Sequence, residues 1–441
     1  MSNPEFKRNL WLSFSTHRLI AMPALLAFTF LAVALIDDGE RVAEHLYTSS
    51  ITLFVLIVWL WGARNANASI ADELRDKTWD QQRMSALDPW TMTWGKLFGA
   101  TSFNWYGGLM CLAVMTVSGI LAGKPDVLHT LLTMVAAGIT VHAALITLSL
   151  HNSQPDARTV QRGNTNWMAI ILALFLLQSL FAFIPMFLNT NDHTVVWWDM
   201  DVKSAVFILD STLLFAAFAT LAAWRVTCNA LQVRTLPWAW PLFACILTLY
   251  IAGYLRDSSF TQQMLVGLLV ALTLSYVTLF SEPASLIRWR KLRLLQSRQD
   301  SLGWLEHLPL WTTTLVLSFV FAVLLTLTAG SGETGAWSAD FLQPQYALTF
   351  ALMLLRDACI LLFFAFSPDN NRVVAVTMLY LVVLNFLLPF MASVAHLDSL
   401  RYFFMPVDAT HNAWSSLLVM LIHVAIAIGL VNWRLKQAEQ T

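Results

Sequence analysis

The chain alternates long apolar runs with short polar interruptions, and the runs set its period. A bilayer core about 30 Å thick needs roughly 20 apolar residues per helix, and stretches near that size recur from end to end. Twelve spans are predicted. They lie at 19–36, 48–63, 97–121, 128–149, 167–188 and 204–224 in the first half, and at 239–255, 262–280, 310–328, 346–366, 372–391 and 412–432 in the second. The apolar–polar alternation of a membrane barrel is missing. Lipid offers no solvent to open backbone groups, so the expected fold is an all-α polytopic membrane protein.

Composition agrees with the pattern: 57% of the 441 residues are hydrophobic and 12% charged, with Trp 19 and Phe 28. The net charge of −1 names no partner and gives no reason to expect a nucleic acid. The placement of charge says more. Of the 26 Lys and Arg, Arg41, Lys124, Lys203, Arg256 and Arg401 fall on one side of the predicted membrane and Arg356 inside a span; the rest lie on the side of the N-terminus. The positive-inside rule then puts both termini in the cytoplasm of a multi-pass plasma membrane protein, with a bacterial inner membrane the expected location.

No short apolar core with a small-residue cleavage site opens the chain. Instead "NPEFKRNLWLSF" spaces Phe6, Leu10 and Phe14 at i, i+4, i+8 beside Lys7 and Arg8, so residues 1–18 are expected to form an interfacial amphipathic helix. Cys111, Cys228, Cys245 and Cys359 lack the spacing of a disulfide framework or a zinc site.

The densest polar stretch, "ADELRDKTWDQQRMSALDPWTMTWGK" at 71–96, separates two apolar spans. Ser69 followed by Asp72 reads as a helix start, and Asp88-Pro89 as an N-cap with proline at the first helical position. The loop is therefore expected to fold as a cytoplasmic helix over 69–88. A second helix then puts Trp90, Trp94 and Leu97 on one face, with Lys96 reaching the headgroups. Charge alone would make the stretch a solvated, topology-setting connector. The acids and bases from Glu73 to Arg83 also suit a polar knob for a soluble partner, with Trp79 and Met84 either anchoring it or dipping into the interface.

The order Glu73, Thr78, Asp80, Arg83, Leu87, Pro89 and Gly95-Lys96 between the second and third spans resembles the coupling-helix region of permease subunits of type-2 ABC exporters. The resemblance covers about residues 1–225. It implies that a separate cytoplasmic ABC ATPase binds ATP and Mg and pushes on Glu73, Arg75, Thr78, Trp79, Asp80, Arg83, Leu87, Pro89 and Lys96. It further implies that this chain binds no cofactor and catalyses nothing. In keeping with that, no G-x-x-x-x-G-K-[ST] occurs, and "GILAGKPD" at Lys124 has the wrong spacing.

Twelve spans are twice that family's usual six, which invites a search for a repeat. "LPLWTTTL" at 308–315 echoes "LDPWTMTW" at 87–94, and Trp433-Arg434 closes the second half as Trp224-Arg225 closes the first. The expected organisation is a first six-span block over 19–235 and a second, degenerate one over 236–441. One chain would then supply both halves, with no homodimer required. The second cytoplasmic loop is basic, through Arg288, Arg290, Lys291, Arg293 and Arg298.

Asp210, Arg356 and Asp357 fall inside spans, where ionisable groups default to functional hypotheses. Fixing helix packing is the other reading. Neighbours on a helix do not face one another, so Arg356 and Asp357 are each expected to need another partner. His142 and His423 are expected to be core residues, and Trp197 and Trp198 an aromatic belt or an exit gate. Two other functions share this topology: a non-transport scaffold or signalling subunit of an ATPase-linked complex, and an ion-coupled secondary carrier. No cluster of His, Asp or Glu has metal or catalytic spacing, so neither an enzyme nor a metal site is expected.

Overall fold

A computed structural model describes residues 3–36, 41–85, 87–153, 194–233, 235–255, 259–282, 284–328, 343–367, 372–407 and 412–440. Within them, ten helices are long and apolar enough to cross a membrane, and the chain is an all-α polytopic membrane protein. Contacts divide it into two compact units. The first contains the described residues up to Ser153, Thr194–Val195 and Asp201–Thr235; the second contains Val196–Met200 and the described residues from Leu236 onward.

The first unit opens with α1 (Pro4–Ser13), capped by Asn3, whose side chain accepts the Phe6 amide, and with α2 (Thr16–Ile36). Next come α3 (Val42–Phe54), a π-helical turn (Val55–Trp61) and α4 (Gly62–Arg75), which run on without a break. Then follow α5 (Trp79–Arg83), α6 (Pro89–Gly99), α7 (Ser102–Leu121), α8 (Val127–Ser153) and α9 (Ser204–Ala230). One core joins Met22 and Leu26 of α2 to Phe54, Val58, Cys111, Met115 and Met134. A second gathers Ile70, Trp79, Met92, Leu97, Ile146 and Leu150.

The second unit comprises α10 (Ala239–Ala252), α11 (Phe260–Ser281), α12 (Leu286–Ser297), α13 (Ser301–Glu306), α14 (Leu310–Thr328) and α15 (Ala347–Ala365). It ends with α16 (Val373–Val382), a second π turn (Val383–Leu387), α17 (Leu388–Val394), α18 (Asp398–Phe404) and α19 (Ala413–Gln440). Its largest core packs Leu279 and Phe280 with Trp311, Leu354, Leu361, Phe366 and Val431.

Several elements depart from the sequence pattern. The predicted span at 167–188 lies outside the described residues. That at 239–255 is an apolar helix of 14 residues, shorter than the ten. The second span continues as helix past its predicted end and reaches Glu73, 32 residues from Val42. Ser69 is therefore helix interior, its hydroxyl donating to the Ala66 carbonyl at 2.7 Å, because "GARNANASIADELR" contains nothing that would stop a helix. The Asp88-Pro89 start does form, with Asp88 accepting the Trp90 and Thr91 amides at 3.0 and 3.3 Å.

A hairpin of β1 (Thr194–Trp197) and β2 (Met200–Lys203) is the feature the hydrophobic pattern missed. Its two turn residues, Trp198 and Asp199, have φ of 51° and 55°, the twist of a primed two-residue turn without the usual Asn-Gly. The conformation is held from outside. The Trp198 amide donates to the Gly253 carbonyl at 2.8 Å and the Trp197 indole to the Tyr250 carbonyl at 3.1 Å. These tryptophans cap the end of α10, which is more specific than a belt. A Cβ at Gly253 would stand 2.2 Å from the Trp197 indole nitrogen. Gly253→Ala should therefore undock the hairpin, raising hydrogen exchange across Val196–Met200 at least tenfold in a mass-spectrometric time course; unchanged protection would refute the capping role.

Candidate functional site

The charged stretch that stood out in the sequence is folded around a buried ion network. Lys96, on α6, is 2% exposed, with its Nζ 2.5 Å from Glu73 Oε2 and 3.3 Å from Glu5 Oε1. Arg8 bridges the same two carboxylates, at 2.8 Å to Glu5 and in a short contact with Glu73. The Gln82 amide donates to Glu73 Oε1 at 2.6 Å, and the Trp79 ring lies 5.5 Å from the Lys96 ammonium. Two acids and two bases thus neutralise one another. Burial works against the charge on Arg8, but its bonds to Glu73 and its attraction to Glu5 win, and its pKa is raised.

Backbone contact brings these groups together. Gly95 and Gly99 are one turn apart on α6, and a Cβ there would meet Glu5 Cβ at 2.6 Å and Asn9 Cβ at 2.8 Å. The two glycines therefore let α1 lie directly on α6. Asn9 ties the crossing, donating to Glu5 Oε1 at 3.0 Å, and Asn3 reaches the Thr91 carbonyl at 2.7 Å. So the inward face of α1 is Glu5 and Asn9. Its outward face is Trp11 and Leu12, rather than the predicted Phe6, Leu10 and Phe14. Phe14 packs edge-on against Phe103 and Tyr106.

The residues singled out from the sequence separate into two groups. Glu73, Trp79, Pro89 and Lys96 are turned inward, with Thr78 and Leu87 half-buried. Thr78 closes the turn after α4 by donating its amide to the Glu73 carbonyl at 2.9 Å. Lys96 is no snorkelling residue, because two carboxylates satisfy it inside the fold. Trp79 is likewise core, neither an anchor nor a probe of the interface. Arg75, Asp80, Arg83 and Met84 face outward, with Arg75 paired to Asp72 at 2.9 Å. On α6, Trp90 and Trp94 are exposed and Trp94 stacks on Phe98 at 4.7 Å, while Leu97 is buried away from them.

Sequence reasoning missed Glu5, Asn9 and Gln82. The available signal was Glu5 and Asn9 at i, i+4 beside a Gly-x-x-x-Gly at 95–99, two faint patterns that only the fold connects.

Some polar groups inside spans are also paired. Arg356 and Asp357 each have the further partner expected of them, but they also bond each other, Arg356 Nε to Asp357 Oδ1 at 2.8 Å, because the guanidinium is long enough to reach its neighbour. Tyr276 donates to Asp357 Oδ2 at 2.8 Å, and Arg356 donates to Asn385 at 2.6 Å. Asn385 lies in the second π turn, four residues before Pro389, which has no amide to return to its carbonyl. The first π turn works similarly. Gly62 bonds to the Ile57 and Trp59 carbonyls, leaving Val58 to accept the His142 ring at 2.7 Å. His423 is buried with its ring on Phe403 at 4.6 Å. Asp210 is exposed, near the start of α9, about 9 Å along the helix from Ser204.

The second unit has a different junction in the corresponding loop. Glu282, just past α11, accepts the Leu310 amide at the start of α14 at 2.9 Å and stands 3.8 Å from Arg288. Burial raises its pKa, opposed by Arg288 and by the amides of Leu310 and Trp311.

No family model, curated protein or solved structure matches the chain.

Two measurements check these assignments. Lys96→Met strands two buried carboxylates and should cost about 3 kcal/mol of stability, with loss of protection along α1; Arg75→Met, in an exposed pair, should leave the melting curve in place. A melt of Lys96→Met that matches the parent would remove the network from the fold's supports. For Glu282, a raised folded-state pKa means the native state holds the extra proton. Its contribution is then full below the ordinary glutamate value of about 4.3 and is lost as pH rises to the folded value. Glu282→Gln should flatten melting temperature against pH across that window.

Proposed function

We propose that the chain is the membrane-spanning permease subunit of an ATP-binding-cassette exporter, energised by a separate cytoplasmic ATPase. The observation that carries this reading is the tip of the second span. Helix α3–α4 is 32 residues to Glu73, about 48 Å, so it outruns a hydrocarbon core of about 30 Å and ends among charges. There Glu73 locks it to α1 and α6, while Asp72, Arg75, Asp76, Lys77, Asp80 and Arg83 face outward with both signs interleaved. A rigid, internally neutralised base with a polar outer face suits reversible docking to a soluble protein. The likeness of Glu73-to-Lys96 to the coupling region of type-2 exporters supports the same reading.

On this proposal the chain has twelve spans, adding those at 167–188 and 239–255, with both termini cytoplasmic in a bacterial inner membrane. Blocks 19–235 and 236–441 together replace two six-span subunits. The partner ATPase binds ATP and Mg; this chain contributes no catalytic residue.

The buried Tyr276–Asp357–Arg356–Asn385 group favours a second reading, an ion-coupled carrier, since such groups at mid-span often mark ion paths. Purification in mild detergent with the cell's ABC ATPases, followed by vesicle assays, separates the two. An ATPase should co-elute, and Arg75→Glu with Arg83→Glu should reduce its recovery at least tenfold without shifting the melting temperature. Retention of the ATPase by that variant would overturn the docking surface. Substrate movement that needs an ion gradient and no ATPase would overturn the exporter reading in favour of a carrier.

A further inference from the structure

The second cytoplasmic-side loop has a surface unlike the first. Helix α12 buries Leu292 and packs Leu286 and Trp289 against the core that holds Leu279, Trp311 and Phe366. Trp289 lies 6.4 Å from Trp311 and 6.5 Å from Phe366. These partners sit at or beside the ends of the spans α11, α14 and α15, so α12 packs beside those span ends. Its links to the spans are short: Glu282 to Ser285 on one side, and His307 to Pro309 after α13 on the other. At about 3.3 Å per residue these links hold the start of α12 and the end of α13 within roughly 15 Å of a span end.

The face of α12 turned away from that core carries Ile287, Lys291, Leu294 and Arg298 at i, i+4, i+7 and i+11, flanked by Arg290. Ile287 is 77% and Leu294 50% exposed, and α13 adds Leu302 at 63%. Around α5 the exposed side chains are charges of both signs with Met84 as the large apolar one; on α12 they are Ile287 and Leu294 among Arg290, Lys291 and Arg293, followed by Gln296 and Ser297, with no acid. Aliphatic groups at the acyl border and ammonium or guanidinium groups among phosphates are what an interfacial helix presents.

We infer that α12 and α13 form a docking surface for anionic phospholipid headgroups, holding the second unit's loop on the membrane rather than offering it to a soluble partner. Each Lys or Arg at a negatively charged leaflet adds about 1 kcal/mol, screened by salt. The two polar loops would then have different tasks. One takes a push from the cytoplasm, and the other rests on lipid.

The full-length chain in nanodiscs tests this. Cys245 is exposed and the other three cysteines are buried, so Cys245→Ala provides a background for a spin label at Ile287→Cys or Leu294→Cys. In discs containing phosphatidylglycerol the labels should be accessible to oxygen and protected from a water-soluble nickel chelate. Lys291→Gln with Arg298→Gln should reverse that ratio at least threefold and lower, by a similar factor, the phosphatidylglycerol retained over phosphatidylcholine in native mass spectrometry. The melting temperature should not change, since these side chains point away from the core. Labels open to the chelate in both lipids would overturn the inference. So would unchanged lipid retention in the glutamine variant, or loss of the ATPase with lipid retained, which would make the face a protein dock.

Discussion

The buried ammonium of Lys96 is the constraint around which the first unit is arranged. A cation at 2% exposure is tolerable only with its counter-charges in contact, and those charges come from two other helices, Glu73 of α4 and Glu5 of α1. Each acid needs a second donor, which Arg8 and Gln82 supply. The geometry therefore fixes three helix ends at once, and the glycines at 95 and 99 follow from the need to bring Glu5 close enough. Helix packing by apolar contact alone would tolerate small slides of α1 along α6. An ion network with directed hydrogen bonds is less forgiving, so the N-terminal helix is part of the polar junction.

Inside the spans, two π turns lie beside buried polar groups. The Val58 carbonyl of the first accepts the His142 ring, and the Asn385 side chain of the second accepts Arg356, which is also paired with Asp357. Each turn sits within a long apolar span. Both bind a titratable side chain from a neighbouring one, so the irregular turn and the buried polar residue are two parts of one structural solution.

Legibility followed the range of the interaction. Spans could be read because lipid imposes a length on each helix separately, and Asp88-Pro89 could be read because a cap is closed within a few residues. The inward turn of Glu73 could not. A row of alternating charges looks the same whether its first acid faces water or a lysine on another helix, and the partner Glu5 is carried by a helix whose apolar residues suggested a different face. Arg356 and Asp357 misled for a related reason. Helical geometry separates neighbouring Cβ directions, but the guanidinium is long enough to ignore that separation. The hairpin was invisible because Trp198-Asp199 is no ordinary turn pair, and its conformation depends on a carbonyl at Gly253.

The unbroken helix from Val42 to Glu73 has a mechanical side. Lys124 pairs with Glu44 at 2.5 Å near one end, and the ion network grips the other, so the rod is held at both extremities. Over 32 residues, a tilt of about 5° about one end sweeps the far end through roughly 4 Å. That is about the distance between an ion pair in contact and one parted by a water molecule. A pivot of that size concentrates its strain at Val55–Trp61, where the π turn has already exchanged regular hydrogen bonds for bonds to other helices. The span is a beam with one irregular section, tied to its neighbours by His142 at the Val58 carbonyl and by Asn104, whose side-chain amide donates to the Ile57 carbonyl at 2.9 Å.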